Sequence, residues 1–249
     1  MPLLSDLISF PEQPLISLVG AGGKTTTMYT LAHELASQGM RVVTTTTTQI
    51  FTPTPDETEE LIIEAEAPLL LSRVKAAWEH YRRITVATSV NERGKLMSLP
   101  PDVPALLLRQ GGAEAILIEA DGARHRMIKA PAEYEPVVPP ETNVALLLMS
   151  AEAINQPLSE EIAHRPERVA AVTGIEIGEA MTPEVIARLV TSEQGGLKGI
   201  PVMAKAYVLI THVTSERREG VLELAGQVCS ATRISGVLYS KRAGVWFSA

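Results

Sequence analysis

The chain has 249 residues, enough for one large α/β domain or two small ones, and it carries a formal net charge of −7. This acidic balance excludes a broad basic surface, so we expect no nucleic-acid partner. Cys229 is the only cysteine in the sequence, which excludes an internal disulfide and a cysteine-rich metal site and is typical of a reducing compartment.

Neither a signal peptide nor a membrane-spanning segment is predicted. Residues 1–13 contain an acid within their short apolar run and no positive side chain before it. The longest apolar stretch, VALLLM at residues 144–149, is far shorter than the roughly 20 residues that cross a bilayer. We therefore predict a cytoplasmic protein without a membrane partner.

The N-terminal part of the chain predicts a strand, a glycine-rich loop and a helix. Residues 15–19 (LISLV) are an apolar run typical of a buried strand, and apolar residues recur at helical spacing from Met28 to Ala36. Residues 40–47 (MRVVTTTT) are rich in β-branched side chains and predict a second strand. Strand, helix and strand in this order predict a right-handed βαβ unit.

The remaining chain continues the alternation of strands and helices. In chain order, the sequence predicts a helix at 68–81, extended segments at 83–90 and 94–99, a helix at 102–110, strands at 115–123 and 143–150, a helix at 182–191 capped by Thr182, a strand at 206–211, a helix at 215–229 and a strand at 233–240. Apolar residues make up 45% of the chain and aromatic residues only 4%, as in parallel sheets covered by helices. We predict a single α/β domain over residues 1–249, with a mostly parallel sheet flanked by helices on both faces.

Residues 121–140 interrupt this alternation. The segment contains four prolines and is longer than the connections that a compact domain keeps without a purpose. Arg124, His125, Arg126 and Lys129 give it a local positive charge in an acidic protein. We interpret the segment as an active-site loop that covers phosphates or an anionic substrate, with Arg124 in contact with the ligand; a solvated loop is the alternative.

The loop between the first strand and the first helix, GAGGKT at residues 20–25, predicts phosphate binding. A helix that begins after a glycine-rich turn exposes backbone N–H groups and adds the positive end of its dipole. In phosphate-binding loops a lysine reaches the β- and γ-phosphates and the next hydroxyl binds Mg²⁺, and Lys24 and Thr25 stand in those positions. A tight turn without a ligand is the alternative. The predicted nucleotide-binding residues of the loop are Gly20, Ala21, Gly22, Gly23, Lys24, Thr25 and Thr26.

This loop is shorter than the usual phosphate-binding loop, because Leu18 stands five residues before Gly23, where the longer loop has glycine. It resembles the loop of the ATP-dependent ligases that build cell-wall peptides, which also reads Gly-x-x-Gly-Lys-Thr. A dinucleotide fingerprint fits less well, since Thr25 stands where its third glycine would be. The predicted ligands are therefore ATP, or GTP, together with Mg²⁺.

Two acids end the strand ILIEAD. Glu119 and Asp121 are two residues apart, so on a strand they point to the same face, at the carboxyl end where ligands of α/β sheets bind. We predict Asp121 as a metal ligand beside Thr25, directly or through water, and Glu119 as the group that orients water or acts as base, with Lys24 as the third catalytic residue. The two acids could exchange roles, and a solvent-facing pair is the alternative.

The threonine run at residues 44–48 permits two interpretations. Threonine favours a strand for steric reasons alone. A hydroxyl-rich strand end beside the phosphate loop could equally contact metal or phosphate, which makes Thr46 and Thr47 candidate ligand contacts.

Taken together, these motifs resemble the YqeC family, the accessory proteins associated with selenium-dependent molybdenum hydroxylases and selenium cofactor biosynthesis. The resemblance rests on VGAGGKTTT, TTTT, EADGAR with KAPAEYEPVVP, HRPE, TG and GGLKGIP, in this order along the chain. It implies a P-loop-like nucleotide-binding protein that uses residues 20–25 and the acid pair, and whose partners are a molybdenum hydroxylase or its cofactor-assembly proteins. His164, Arg165 and Lys198 lie in the shared motifs without a derived role.

One stretch departs from related sequences. Where related members tend to show an Asn-Lys-x-Asp-like stretch after a late strand, this chain has LITHVTSE at residues 209–216. The acid of that stretch would read guanine, so ATP is the preferred nucleotide.

Three functions remain open at this stage. The leading hypothesis is a Mg²⁺-dependent nucleoside triphosphatase, or a phosphoryl-transfer enzyme, that acts in the maturation of a selenium-dependent molybdenum hydroxylase. The second is an ATP-dependent ligase or kinase with the short loop. The third is a nucleotide-gated chaperone or carrier without significant turnover.

Overall fold

The computed structural model describes residues 2–241 and 245–248. Within these residues, the strands are β1 (Leu15–Gly20), β2 (Val42–Thr46), β3 (Gln49–Phe51), β4 (Glu60–Ile63), β5 (Arg83–Ala87), β6 (Lys95–Met97), β7 (Ala115–Glu119), β8 (Ile128–Lys129), β9 (Val144–Ser150), β10 (Ala163–His164), β11 (Lys205–Val213), β12 (Ile234–Lys241) and β13 (Val245–Ser248). The helices are α1 (Leu4–Leu7), α2 (Lys24–Ser37), α3 (Ala67–Ala77), α4 (Val103–Gln110), α5 (Pro166–Thr173), α6 (Pro183–Thr191) and α7 (Arg218–Cys229), and a 3₁₀ turn spans Ala151–Ala153.

One large sheet organises the described part of the chain. Its strand order is β13-β12-β11-β9-β1-β7-β2-β5-β4, and all neighbouring strands run parallel except β12 and β13. The strand before the glycine-rich loop, β1, lies between β9 and β7, so the carboxyl ends of these three strands meet at one edge of the sheet. The predicted fold class, a mostly parallel α/β sheet, is confirmed.

Helices cover both faces of this sheet, as predicted. Leu148 of β9 packs into a core with the apolar side of α2, whereas its neighbour Met149 packs on the opposite face with α6 and α7. A third core, formed with α3 and α4, contains Leu15 of β1, while Val19 of the same strand belongs to the core of α6 and α7. Since Leu15 and Val19 point to the same side of their strand, these two cores share one face.

Two small sheets lie outside the main one. The strands β3 and β6 pair antiparallel, and β8 pairs parallel with β10. The second pairing corrects the interpretation of residues 121–140 as a loop throughout, because β8 lies within that segment. A two-residue strand has no period that a sequence pattern could reveal.

Most predicted elements form, with shifted ends. The helix α3 ends at Ala77 rather than at 81, and α7 begins at Arg218 rather than at 215. Thr182 caps α6 as predicted, accepting a hydrogen bond from the Val185 N–H at 3.3 Å. The helices α1 and α5 were not predicted. Among the helices of the described residues, none is long and apolar enough for a membrane span.

Candidate functional site

The glycine-rich loop passes close to β9 on its way from β1 to α2. Gly20, Gly22 and Gly23 have φ angles of 95°, 80° and 109°, in the left-handed region that favours glycine. A Cβ at Gly20 would lie 2.2 Å from the carbonyl oxygen of Leu148, and one at Gly22 would lie 2.5 Å from the amide nitrogen of Ser150. The loop can therefore approach β9 this closely only with glycine at both positions.

The backbone N–H groups of the loop divide into two sets. Those of residues 20–22 donate within the fold, to a carboxylate oxygen of Asp121 at 3.0 Å and to carbonyl oxygens of Leu148 at 2.9 Å and Arg126 at 3.1 Å. Those of residues 23–26 have no acceptor in the described part of the chain, because they are the four that the start of α2 leaves without an intrahelical partner. An anion can bind at the second set, and the prediction that residues 20–22 also offer N–H groups to a ligand is wrong.

Lys24, the first residue of α2, folds back over the loop. Its Nζ donates to the carbonyl oxygen of Gly20 at 2.7 Å and lies 3.1 Å from Asp121 Oδ1 and 3.8 Å from Glu119 Oε1. The side chain is only 4% exposed, so its charge is held by these partners rather than by bulk water. An ammonium has three N–H donors, and the carbonyl oxygen of Gly20 is the one acceptor that hydrogen-bonds to it within the described residues, so donors remain for a phosphate oxygen.

Glu119, the last residue of β7, faces the first turn of α2. Its Oε2 accepts a hydrogen bond from Thr25 Oγ1 at 2.6 Å. Burial raises the pKa of Glu119 above its ordinary value, and the charge of Lys24 and the Thr25 hydrogen bond only partly oppose this. A hydroxyl and a carboxylate therefore meet at the edge of the phosphate loop.

This pair of side chains fits Mg²⁺. Over residues 2–241 and 245–248, no three His, Cys, Asp or Glu side chains converge as a closed metal site. Mg²⁺ in nucleotide sites does not need one, since it keeps several waters and binds one or two carboxylates together with phosphate oxygens. Thr25 and Glu119 would hold the ion beside the open N–H groups of residues 23–26.

Asp121 lies behind this pair. It is 2% exposed, and besides Lys24 it contacts Lys129 Nζ at 3.0 Å and the Gly20 N–H at 3.0 Å. Glu119 lines the cavity beside the loop, whereas Asp121 does not. Asp121 is placed to orient Lys24 and the loop, and its predicted role as a metal ligand, directly or through water, stays a prediction.

Lys129 is not part of a cationic cover. Its side chain is 1% exposed and lies between Asp121, at 3.0 Å, and Glu135, at 2.9 Å. Glu135 also pairs with Arg165 at 2.7 Å. Burial, the largest influence, would raise the pKa of Glu135, but hydrogen bonds from Arg165 and Lys129 outweigh it and lower the pKa to about 2. The predicted cover is thus restricted to residues 124–126.

The motifs that the sequence left without a role meet around this network. Lys198 donates to the carbonyl oxygen of Ala132 and so holds the segment that carries Glu135. His164 precedes Arg165 in the chain, and its pKa is lowered to about 4. Burial is the largest cause, and the positive charges of Arg165 and Lys129 add to it. These residues stabilise the segment behind the phosphate loop.

Thr46 and Thr47 do not contact the cavity, which corrects their prediction as ligand contacts. The Thr46 hydroxyl donates to the backbone carbonyl oxygen of Glu119 at 2.7 Å, and that of Thr47 donates to the carbonyl oxygen of Val137 at 2.6 Å. Both hydroxyl protons are used within the fold. Thr48, one residue further, lines the cavity instead.

A cavity of about 950 Å³ opens beside the phosphate loop. Gly22, Gly23, Lys24, Thr25 and Thr26 line it on one side. Arg124 borders it as well and is exposed, with a left-handed φ of 49°. A cationic side chain therefore lies at the mouth of the cavity.

Sequence reasoning missed the wall of the cavity formed by the ends of β9 and β11. Thr211 Oγ1 donates to the carbonyl oxygen of Gly22 at 2.5 Å, and His212 Nδ1 lies 3.2 Å from Ser150 Oγ. His212 has a left-handed φ of 55°, and its ring lies 3.9 Å from the position of a Cβ on Gly23. The available signal was its place at the carboxyl end of a predicted parallel strand, where ligands bind.

Comparison with known proteins gives similar sequences and similar folds. The model of the YqeC protein family matches residues 16–167. The protein YqeC of Escherichia coli (strain K12) is 31% identical over 205 residues, which are 80% of this chain and 76% of that protein. Among solved structures, the signal recognition particle 54 kDa protein of Aeropyrum pernix K1 in complex with GDP is 16% identical with a TM-score of 0.41, covering 96% of this chain and 44% of that one. Chloroplast FtsY of Physcomitrella patens is 14% identical with a TM-score of 0.39, covering 97% of this chain and 63% of that one. The chain thus spans less than two thirds of the length of either structure.

Proposed function

The chain belongs to the YqeC family, and we propose that it binds a nucleoside triphosphate with Mg²⁺ and hydrolyses it or transfers its terminal phosphoryl group. One observation carries this proposal: the four open N–H groups of residues 23–26 lie beside Lys24 and the Thr25–Glu119 pair. A phosphate loop supplies three things: N–H groups that donate hydrogen bonds to an anion, a cation, and a pair of side chains that binds the metal.

Each side chain has a distinct task in this reaction. The N–H groups of residues 23–26 hold the phosphate oxygens, and Lys24 donates its free N–H groups to the β- and γ-phosphates. Thr25 and Glu119 would hold Mg²⁺, which would neutralise the charge of the phosphates. Asp121 is a positioning residue, since it fixes Lys24 through the contact of 3.1 Å. Arg124 closes over the phosphates from the mouth of the cavity.

Thermal unfolding with and without nucleotide tests the proposal. A ligand that binds only the folded state stabilises it, by about 2.7 kcal/mol at a hundredfold excess over its Kd. We expect MgATP to raise Tm by several degrees, MgGTP to raise it less, and the effect of each to fall without Mg²⁺. For every variant of the site, the control is Lys75→Ala, because Lys75 is exposed on α3 outside the cavity. No shift with ATP, GTP or their diphosphates would overturn the proposal.

The size of the cavity favours transfer to a second substrate over simple hydrolysis. Its lining extends beyond the phosphate loop to β3 and β6, so a second ligand has room beside the nucleotide. A ligase or kinase would release ADP only when its acceptor is present. Tight nucleotide binding without any phosphate release, by contrast, would select the nucleotide-gated carrier.

The family resemblance supports one further part of the proposal, a role in the maturation of a selenium-dependent molybdenum hydroxylase. The test is nucleotide turnover with and without the purified, immature hydroxylase. We expect turnover to rise when the hydroxylase is added, and equal rates would contradict the role.

A further inference from the structure

We propose that the cavity contains a second subsite, which binds a planar aromatic ligand with negative charge. Phe51, His125 and Lys95 form it, and we call them the aromatic wall. The inference rests on the proposed function, because the expected position of the phosphates decides which side of the cavity the wall faces.

The geometry of the aromatic wall is that of a stacking site. The rings of Phe51 and His125 lie nearly parallel, at 23°, with their centroids 6.4 Å apart. The Nζ of Lys95 lies 4.8 Å from the centroid of the Phe51 ring. Phe51 is 54% exposed, so more than half of its surface remains accessible to a ligand. Aromatic rings favour offset or edge contacts with other rings, and a cation beside them adds attraction for a negative group.

The charge around the aromatic wall selects an anion. Lys95, Arg124 and Arg126 line the cavity and form no ion pair within the described residues. The carboxylate of Glu57 also lines this side, where it accepts hydrogen bonds from the backbone and hydroxyl of Thr54 at 2.8 and 3.1 Å, so its negative charge offsets one of the three positive charges. Three cations without a carboxylate partner are unexpected in a chain with a net charge of −7, and they create a local positive field.

The order of the sheet assigns this wall to the second ligand and not to the base of the nucleotide. Glu119 ends β7, and β2, the next strand of the sheet, leads into β3, which carries Phe51. The aromatic wall therefore lies on the side of the metal-binding pair, where the terminal phosphate belongs. Ser150 and His212 lie on the other side of the loop, at the ends of β9 and β11. The base, at the far end of the phosphate chain, faces that side.

Binding of 1-naphthoate to the full chain tests this subsite. The titration is followed by naphthoate fluorescence, with and without saturating MgADP, and the Kd for MgATP is measured on every protein. Cyclohexanecarboxylate is the charged ligand without a planar ring, and naphthalenemethanol is the planar ligand without charge. The variants are Phe51→Ala, Phe51→Leu and Lys95→Ala. The matched controls are Leu69→Ala, which removes another exposed apolar side chain, and Lys75→Ala, both on α3.

We expect naphthoate to bind the wild type more tightly than either comparison ligand. Phe51→Ala and Lys95→Ala should each weaken naphthoate binding about tenfold, while the Kd for MgATP stays within about twofold. Phe51→Leu, which keeps the apolar volume without the ring, should behave as Phe51→Ala does. The controls should bind as the wild type does.

Three results would overturn the subsite. Naphthoate affinity could be unchanged in Phe51→Ala and Lys95→Ala, or the uncharged ligand could bind equally well. In the third, naphthoate competes with MgATP and Phe51→Ala weakens MgATP binding, which would assign the wall to the base. Failure of the proposed function is a separate result, in which MgATP does not bind but naphthoate still does.

Discussion

Two clusters of charged residues meet at Asp121 and differ in what they face. In front, Lys24, Thr25 and Glu119 border the cavity, and the neighbouring N–H groups of residues 23–26 have no acceptor in the described chain. Behind, Lys129 is enclosed by carboxylates. The front cluster has unused bonding capacity, whereas the rear cluster has its charges matched within the fold.

This difference between the front and rear clusters shows that residue type alone does not mark a functional site. Both clusters combine lysine with carboxylates, and both lie within residues 16–167, which the YqeC family model matches. What separates them is access to the cavity and the number of partners already engaged. If this distinction holds, substitutions in front should change activity and substitutions behind should change stability.

The largest effect is expected for Lys24→Ala. Removing the cation from the phosphate site should lower turnover by about a thousandfold, or about 4 kcal/mol in the activation barrier. The variant should still fold, with a loss of stability from the removed ion pair, since Asp121 keeps its contacts with Lys129 and the Gly20 N–H. Phosphate release by the purified variant, with Lys75→Ala as control, is the measurement. Unchanged turnover would refute the role of the front cluster.

Lys129→Met tests the structural role of the rear cluster. It leaves Asp121 and Glu135 without their shared cation in a buried place, so the free energy of unfolding should fall by about 3 kcal/mol. Urea denaturation measures this loss. The double variant with Glu135→Gln should lose less than the sum of the two single variants, because one uncompensated charge is removed. A stability equal to that of the wild type would contradict the structural role of the rear cluster.

Glu119→Gln should affect metal use more than folding. The amide keeps the hydrogen bond with Thr25 but loses the negative charge that would bind Mg²⁺, so we expect about a hundredfold lower turnover, close to 2.7 kcal/mol. A titration of turnover with Mg²⁺ should show a higher half-saturating concentration. If Asp121→Asn rather than Glu119→Gln produced this shift, the assignment of the two acids would be reversed.

The rear cluster should also make stability depend on pH. The pKa of His164 is lowered from 6.5 to about 4, so its contribution is complete above pH 6.5 and is lost as pH falls towards 4. The pKa of Glu135 is lowered from 4.5 to about 2, so its contribution, about 2 kcal/mol or more, is lost between pH 4.5 and 2. Urea denaturation from pH 7 to pH 2 measures both losses of stability. In Glu135→Gln the loss of stability below pH 4.5 should shrink, while the loss of stability above pH 4.5, which comes from His164, remains.

The smallest effect is expected for Thr47→Val. This change removes one internal hydrogen bond, to the carbonyl oxygen of Val137, and should cost about 1 kcal/mol of stability. Nucleotide affinity should not change, because Thr47 does not line the cavity. A weaker nucleotide affinity at unchanged stability would restore Thr47 as a ligand contact. Thermal unfolding and nucleotide titration of the same preparation distinguish the two.

The order of elements around the phosphate loop followed from the sequence, because it depends on local patterns. An apolar run, a glycine-rich turn and helical spacing predict β1, the loop and α2 without reference to other parts of the chain. The split among the loop N–H groups could not be predicted in this way. It depends on carbonyl oxygens of Leu148 and Arg126, which only the folded chain brings to the loop.

The charged residues show the same limit. Lys129 stands in a run of cations in the sequence, and only its contacts with Asp121 and Glu135 reveal it as buried. His212 reaches the loop because β11 pairs with β9, a long-range pairing that local patterns do not contain. The sequence therefore predicted the order of the elements and the end of the sheet at which Glu119 lies, but not the individual partners of Lys129 and of the loop N–H groups.

The ion-paired chain from Asp121 through Lys129 and Glu135 to Arg165 has a consequence for homologous sequences. A single change of sign at any of these positions creates a buried excess of charge, so substitutions there should be inherited jointly. An alignment should show positions 121, 129, 135 and 165 varying as a block, with reversals or neutral replacements at several of them in the same lineage.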